Sequence, residues 1–227
     1  MASTLAHGDI HLWCGSLDRL PVQKRFEECL SPAERSRAER MSSAELKGRF
    51  VVSHGLLRAI LGLYCDTDPG SLNLQYGRYG KPFLADTKEV DHIGFSVSHC
   101  GSSLALALIR ERDIGLDIEA IRSFSGMAKF VERFFSKDER EEFQSSKGDH
   151  RTRAFFETWT GKEAYVKGTG EGLAKNLRRI SVAQGSGGIR KVRVFSRRGW
   201  NPVPWTVYNF EPEVGLLAGL AVGPLLL

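Results

Sequence analysis

The segment 114–119, Ile-Gly-Leu-Asp-Ile-Glu, constrains the fold of this chain more than any other feature of the sequence. Apolar residues alternate with Asp117 and Glu119, and successive side chains of an extended strand point to opposite faces. The segment is therefore predicted to be a strand with one apolar face and one face that carries two carboxylates. Carboxylates this close repel each other unless a cation lies between them, and their oxygens suit Mg²⁺. A solvated edge strand would show the same pattern, so the metal interpretation needs a third acid.

A candidate third acid lies in residues 155–167, whose spacing predicts a helix. Trp159, Glu163 and Lys167 stand at positions i, i+4 and i+8, so they share one face of that helix. An ordinary pair of surface charges explains Glu163 and Lys167 equally well. The residues alone leave both interpretations open, a metal site and a solvated surface.

Several segments, taken together, resemble the successive motifs of the 4'-phosphopantetheinyl transferases. These segments are residues 115–119, 134–139 and 159–167, with residues 79–82 and 95–99 similar to the longer, surfactin-synthetase-activating (Sfp-type) branch. The resemblance implies an α+β fold with two pseudo-symmetric lobes. Each lobe would be a small, mostly antiparallel sheet with helices, and the active site would lie in the cleft between them. We place the boundary near residue 112, which gives lobes of residues 1–112 and 113–227.

The resemblance implies transfer of 4'-phosphopantetheine from coenzyme A to a serine of an apo acyl or peptidyl carrier protein, giving holo-carrier and 3',5'-ADP. Asp117, Glu119 and Glu163 are expected to hold Mg²⁺, for which Mn²⁺ is an alternative. Glu163 is also expected to act as a general base beside the incoming serine. Lys162 and Lys167 are expected to neutralise charge on the pyrophosphate.

The resemblance also implies residues that hold coenzyme A. Lys81 precedes a proline in a segment rich in turn formers, and His99 ends a predicted strand of a β-hairpin. Both are expected to contact phosphates. Arg35, Arg37 and Arg49 are the matching candidates for the nucleotide end, and a plain surface role explains each of these arginines equally well.

Carrier docking is assigned, through the same resemblance, to Ile121, Phe124 and Met127, which follow the acidic strand. A core position is the alternative for each of these apolar side chains. Glu139 stands three residues after Ser136 and is explained better by a capping box than by contact with a metal.

Cap and turn signals divide the rest of the chain. Ser31, Pro32 and Glu34 have the pattern of a helix start, and a second helix is expected from about Ser43 to Leu63. The glycine-rich segment 168–172 lacks the ending of a P-loop and is expected only to end the helix of Glu163. Beyond residue 180, turn signals at 185–188, 199–202 and 211–212 predict several short strands in a second sheet.

The formal net charge of +5 is compatible with binding a polyanion, either coenzyme A with an acidic carrier protein or a nucleic acid. Basic residues cluster at positions 35–40, 175–179 and 190–198. Two alternative functions use the same features: a Mg²⁺-dependent phosphoesterase or nuclease with the same acids, and a basic nucleic-acid-binding module. The resemblance favours the transferase, with no nucleic-acid or membrane partner.

Cellular location and assembly are indicated only weakly. The four cysteines form no Cys-x-x-Cys pair, and the N-terminus lacks the basic and apolar stretches of a secretory signal. The apolar segment 214–222 is shorter than the roughly 20 residues that cross a membrane, and is expected to be a buried strand. We therefore expect a cytoplasmic protein with reduced thiols. A chain that contains both halves of the cleft is expected to be a monomer.

Overall fold

The structure, a computed structural model, describes residues 4–19, 23–85, 92–172, 176–184, 189–196 and 199–226. The described helices are α1 Gln23–Cys29, α2 Pro32–Glu39, α3 Ala44–Cys65, α4 Met127–Phe134, α5 Lys137–Ser145 and α6 Gly148–Thr169. The described strands are β1 Ile10–Ser16, β2 Leu74–Tyr76, β3 Pro82–Leu84, β4 Ile93–Cys100, β5 Ser103–Arg110, β6 Arg112–Ala120, β7 Ile180–Gln184, β8 Ile189–Ser196, β9 Gly199–Glu213 and β10 Leu216–Leu225. This mixture of helices and antiparallel sheets confirms the predicted α+β class.

The first sheet has the strand order β1-β5-β4 and carries α3 on one face. Its strands β4 and β5 form the predicted hairpin, whose turn contains Gly101 at a φ of +59°. Leu57 and Leu61 of α3 lie in one buried cluster with Phe95 and Leu108 of the sheet. Strands β2 and β3 form a separate small hairpin, and the segment rich in turn formers before Pro82 joins them.

The second sheet has the order β6-β10-β9-β8-β7 and carries α6 on one face. The strand break expected at residues 211–212 is wrong, because β9 continues to Glu213 and the turn follows at Gly215. The φ of Gly215 is +79°, a conformation that glycine adopts readily. The ring of a proline forbids this φ, so Pro212 could not occupy the same position in the turn. The turn expected at residues 185–188 lies outside the described residues, as do the basic positions 175, 197 and 198.

The two sheets pack against each other through the apolar face of β6. Leu116 and Ile118 are buried with Ala105 and Ala107 of β5 and with Leu220 of β10. The alternation predicted for residues 114–119 is therefore confirmed, since the apolar side chains point into the core between the sheets. The chain passes from the first sheet to the second between β5 and β6. The division into lobes near residue 112 stays a prediction.

Both predicted capping boxes are present. Ser31 caps α2 and Ser136 caps α5, and the carboxylates of Glu34 and Glu139 each accept a hydrogen bond from the backbone N–H of their cap residue. Glu34 is buried and also binds the guanidinium of Arg58. Burial raises the pKa of Glu34, but hydrogen bonds from its partners and the charge of Arg58 outweigh this and lower the pKa to about 2. Glu34 therefore ties α2 to α3 and is not turned toward solvent.

The long helices begin and end close to the expected residues. Ser43 caps α3, and α6 ends at Thr169 with Gly170 in the left-handed region, as predicted for the glycine-rich segment. The start of α6 at Gly148 precedes the predicted segment 155–167. Among the described helices, none has the length and apolarity that crossing a membrane requires.

Candidate active site

Glycines allow α6 to lie directly on the acidic face of β6. A Cβ at Gly115 would overlap the carbonyl oxygen of Ala164, and a Cβ at Gly219 would overlap the backbone of Thr160. Gly219 is the register partner of Asp117 on β10. Because no side chain separates the two backbones at these positions, the carboxylates of β6 lie within reach of α6.

The helix face that was predicted from the i, i+4, i+8 spacing meets these carboxylates. The Nζ of Lys167 lies 2.7 Å from Oδ1 of Asp117, and Trp159 hydrogen-bonds Glu119. Glu163 stands between these two residues along the helix and is influenced by the charges of both acids. The structure therefore brings together the three acids and the lysine that were expected to share a site.

The pKa values of the acids show how strongly they influence one another. Burial and then the charge of Asp117, with a smaller effect of Glu119, raise the pKa of Glu163 to about 7 against the opposing effect of Lys167. Burial, followed by the charge of Asp117, also raises the pKa of Glu119. The cluster therefore resists carrying all its negative charges at once, and a bound cation would relieve this repulsion.

Two oxygens of the cluster are available to a cation. Oδ2 of Asp117 and Oε1 of Glu163 are buried and have no hydrogen-bond partner in the part of the chain that the structure describes. Within these same residues, no group of three or more His, Cys, Asp or Glu side chains is arranged to hold a metal ion as it stands. The unpartnered oxygens and their mutual repulsion suit Mg²⁺ or Mn²⁺, so the residues fit the expected metal in chemistry, although the coordination geometry is not preformed.

The β4 strand contacts the same region of β6 through side chains. Ser96 Oγ, Ser98 Oγ and Cys100 Sγ each accept a hydrogen bond from a backbone N–H of β6, at 2.9, 3.3 and 3.3 Å. The donors, in the same order, are Leu116, Ile118 and Ala120. We call this row of three hydrogen bonds the seam. It joins the edge of the first sheet to the edge of the second, directly beside the acids.

A cavity of about 440 Å³ opens beside the acids and has the size of a small-molecule site, about 300–1,000 Å³. Glu163 and Lys167 line one side of this cavity, and Tyr79 and Lys81 from the loop between β2 and β3 line another. Gly172 also lines the cavity and packs so closely on the side chain of Tyr79 that a Cβ would overlap it. The glycine-rich segment was expected only to end the helix, so its place in the cavity wall was missed.

Lys81 is fixed at the edge of this cavity. Its Nζ donates a hydrogen bond to the carbonyl oxygen of Gly168 and lies 3.4 Å from Oδ1 of Asp113. Burial lowers the pKa of Lys81, and the charge of Asp113 opposes this shift. The lysine expected to contact coenzyme A therefore lies in the same cavity as Glu163, one of the expected metal ligands.

Lys162 lies away from the cavity. It is fully buried, its ammonium is paired with Glu139, and it donates a second hydrogen bond of 2.7 Å to the carbonyl oxygen of Ile180. The ring of Phe135 lies 5.4 Å from Nζ. This placement makes Lys162 part of the packing between α5, α6 and β7, so we remove it from the catalytic set.

The other expected coenzyme contacts are spread over the first half of the chain. His99 is exposed on β4, Arg35 donates to the carbonyl of Glu28, and Arg49 forms an ion pair with Glu45 on α3. The guanidinium of Arg37 covers the ring of Phe50 at 5.1 Å. The described lining of the cavity contains none of these four residues, and their contact with a nucleotide stays a prediction.

The expected docking residues differ in exposure. Met127 is buried in an aromatic cluster, and Ile121 packs against that cluster. Phe124 is 37% exposed and meets the ring of Phe155 edge to face. Met127 is therefore a core residue, whereas Phe124 presents part of its ring to solvent.

Ser98 is the main site residue that sequence reasoning missed. Only its neighbour His99 was assigned a role, although the alternation in residues 95–99 places Ser96 and Ser98 on one face of the strand. That face meets β6, which the alternation alone does not reveal.

Comparison with known proteins identifies the family. The sequence model of the 4'-phosphopantetheinyl transferase superfamily matches residues 113–213, which include all three acids and Lys167. The chain is also 33% identical over 220 residues to the 4'-phosphopantetheinyl transferase HetI of Nostoc sp., covering 96% of this chain and 90% of that protein. The chain belongs to the 4'-phosphopantetheinyl transferase family. This transferase is therefore an enzyme of the holo-carrier-protein synthase type, as the motifs predicted.

Further comparisons agree with this assignment. The transferase is 29% identical over 159 residues to the 4'-phosphopantetheinyl transferase Sfp of Bacillus subtilis, covering 70% of this chain and 68% of that protein. The holo-[acyl-carrier-protein] synthase of Thermotoga maritima matches with a TM-score of 0.38 and 19% identity over 48% of this chain and 61% of that one, a similarity too low to carry an argument. The phosphoesterase, nuclease and nucleic-acid-binding alternatives receive no support from these comparisons.

Proposed function

We propose that this transferase takes 4'-phosphopantetheine from coenzyme A and attaches it to a serine of an apo acyl or peptidyl carrier protein, releasing 3',5'-ADP. The observation that carries the proposal is the convergence of Asp117, Glu119, Glu163 and Lys167 beside a cavity that Lys81 also lines. We also place the chain in the longer, Sfp-type branch on the motifs around Lys81 and His99.

The reaction forms one bond and breaks one. The carrier serine Oγ attacks the phosphorus that bears pantetheine, the bond from this phosphorus to the bridging oxygen breaks, and 3',5'-ADP departs with that oxygen. Catalysis of such a transfer depends mostly on positioning and on charge neutralisation. The serine proton passes to a base, and Glu163 is our candidate because its carboxylate lines the cavity beside Lys167.

Positive charge around the pyrophosphate would come from two lysines and a metal ion. Asp117, Glu119 and Glu163 would hold Mg²⁺ or Mn²⁺, which when bound neutralises pyrophosphate oxygens. Lys167 lines the cavity with its ammonium already directed by Asp117. Lys81 also lines the cavity, where its charge suits a phosphate of coenzyme A.

The direct test incubates the purified chain with coenzyme A, Mg²⁺ and an apo acyl or peptidyl carrier protein, and then weighs the carrier by mass spectrometry. We expect the carrier to gain one phosphopantetheine and 3',5'-ADP to appear in equal amount. A carrier whose modified serine is replaced by alanine serves as the control and should gain nothing. Asp117→Ala should abolish labelling while the protein stays folded. If several carriers remain unlabelled while a phosphate ester or DNA is cleaved, the proposal fails and a phosphoesterase is favoured.

A further inference from the structure

The hydroxyl of Ser98 lies where the seam, the acid cluster and Lys167 meet. Its Oγ is 3.1 Å from Oδ1 of Asp117, 2.9 Å from Nζ of Lys167 and 3.3 Å from the backbone N of Ile118. Ser98 is only 3% exposed, so these protein groups surround the hydroxyl. Three elements, β4, β6 and α6, are therefore linked through one oxygen atom.

The three contacts fill the hydrogen-bonding capacity of this hydroxyl. A serine hydroxyl donates one hydrogen bond and accepts two. The ammonium of Lys167 and the N–H of Ile118 are donors only, so they take both acceptor positions. The single O–H must then point at the carboxylate of Asp117, which accepts it. The arrangement therefore fixes Oδ1 of Asp117 between a hydroxyl and an ammonium. The other oxygen, Oδ2, points away from these two groups and has no hydrogen-bond partner among the described residues.

Ser96 provides an internal comparison on the same strand. It lies two residues earlier on the same face, is similarly buried at 6% exposure, and accepts a hydrogen bond of 2.9 Å from the N–H of Leu116. Both serines thus contribute one hydrogen bond to the seam. Ser98 differs from Ser96 in its contacts to Asp117 and Lys167.

We propose that Ser98 is a positioning residue for the transfer reaction, acting through Asp117 and Lys167 rather than on the substrate. By fixing the carboxylate and the ammonium together, it directs one oxygen of Asp117 to the metal and keeps Lys167 beside the pyrophosphate. Ser98 belongs to the first sheet, whereas Asp117 and Glu119 belong to the second sheet and Glu163 to the helix α6 that packs on it, so the metal site is complete only when the two sheets are correctly docked. The inference rests on the proposed function, in which these acids hold a divalent cation.

The test compares Ser98→Ala with Ser96→Ala, since each variant removes one hydroxyl from the seam. Binding of Mn²⁺ is measured by electron paramagnetic resonance without coenzyme A and without carrier, because Ser96 lines the cavity assigned to coenzyme A. Loss of a side chain that orients a metal ligand weakens metal binding by about 10-fold to 100-fold, and we expect this for Ser98→Ala. Ser96→Ala should bind Mn²⁺ as the wild type does and should lose a similar amount of thermal stability.

Labelling kinetics provide a second measurement. In Ser98→Ala the Mg²⁺ concentration for half-maximal rate should rise and kcat should fall, while the KM for the carrier stays unchanged. Ser98→Cys is a second variant for the case that alanine prevents folding, because Cys100 shows that a thiol can accept a hydrogen bond at the seam. A thiol donates only weakly to a carboxylate, so weaker Mn²⁺ binding is expected here too.

Equal Mn²⁺ affinity in the Ser96 and Ser98 variants would overturn the inference, because Ser98 would then serve the seam alone. The proposed function has a separate failure, which is absence of carrier labelling by the wild-type chain. The two outcomes are measured on different samples and are therefore distinguishable.

Discussion

Gly115 on β6 lies in backbone contact with Ala164 on α6, and the space beside its α-carbon is filled by the carbonyl oxygen of Ala164. This contact sets how closely the helix approaches the acidic strand. Asp117 lies two residues after Gly115 on β6, and Glu163 lies one residue before Ala164 on α6, so the distance between the two acids depends on this contact.

Gly115→Ala should push α6 away from β6. Overpacking of this kind costs about 1–3 kcal/mol and occasionally more. We expect a loss of this size in the free energy of unfolding, measured with urea. The labelling rate per folded molecule should fall by a larger fraction than the free energy of unfolding does. Gly15→Ala on β1 is the matched control, because a Cβ there meets nothing within 4 Å. Wild-type labelling by Gly115→Ala would contradict the role assigned to this contact.

Lys162→Met should lower the stability of the fold and leave the labelling activity of the folded protein largely intact. The substitution leaves the carboxylate of Glu139 buried without its cation, and removing one partner of a buried ion pair costs about 3–5 kcal/mol. We expect a large fall in the melting temperature, with labelling retained by the protein that remains folded at low temperature.

Lys167→Met is the comparison for that variant, because the side chain of Lys167 is 35% exposed and lines the cavity. It removes a half-exposed cation from Asp117, so it should lower the melting temperature less than Lys162→Met does, and it should lose labelling. If Lys162→Met kept its melting temperature and lost labelling, Lys162 would have to be returned to the catalytic set.

The pKa of Glu163 predicts a pH dependence of the metal-free protein. Its value of about 7 in the folded chain lies above the ordinary 4.5, so the folded state binds more protons than the unfolded state between these pH values. The free energy of unfolding should therefore fall as pH rises from 4.5 to 7, by up to about 3 kcal/mol relative to Glu163→Gln. Urea unfolding of both proteins in EDTA across this range checks the prediction. A pH-independent difference between them would contradict it.

Glu34 predicts the opposite dependence in the first half of the chain. Its pKa of about 2 lies below the ordinary 4.5, so its stabilisation is complete above pH 4.5 and is lost as pH falls toward 2. Glu34→Gln leaves the buried guanidinium of Arg58 without its charged partner and should cost about 3–5 kcal/mol at pH 7. The difference from wild type should shrink in acid, as followed by chemical unfolding. An undiminished difference at pH 2.5 would show that the charge of Glu34 is not responsible.

The fold and the candidate site were predictable from sequence where local periodicity decides the outcome. Alternation around Asp117 and the helical spacing of Glu163 and Lys167 each define a face, and both faces meet in the structure. Capping patterns at Ser31 and Ser136 likewise depend on residues three positions apart.

What sequence could not supply was contact between distant segments. Lys162 precedes Glu163 in the family motif and was expected to neutralise charge on the pyrophosphate. One residue on a helix turns the side chain by about 100°, and this places Lys162 against Glu139 on another element. The role of Ser98 depends in the same way on β6 lying beside β4, a juxtaposition that no local pattern encodes.

The seam also limits the amino acids that its three positions can accept. A hydrogen bond from the neighbouring backbone N–H to a γ atom requires an acceptor one bond beyond Cβ, which only serine, threonine and cysteine provide at that length. In a saturation library at positions 96, 98 and 100, the tolerated amino acids should be confined to serine, threonine and cysteine. Position 98 should tolerate the fewest of them. The first and second sheets are therefore held in register by hydrogen-bond acceptors that most amino acids do not have.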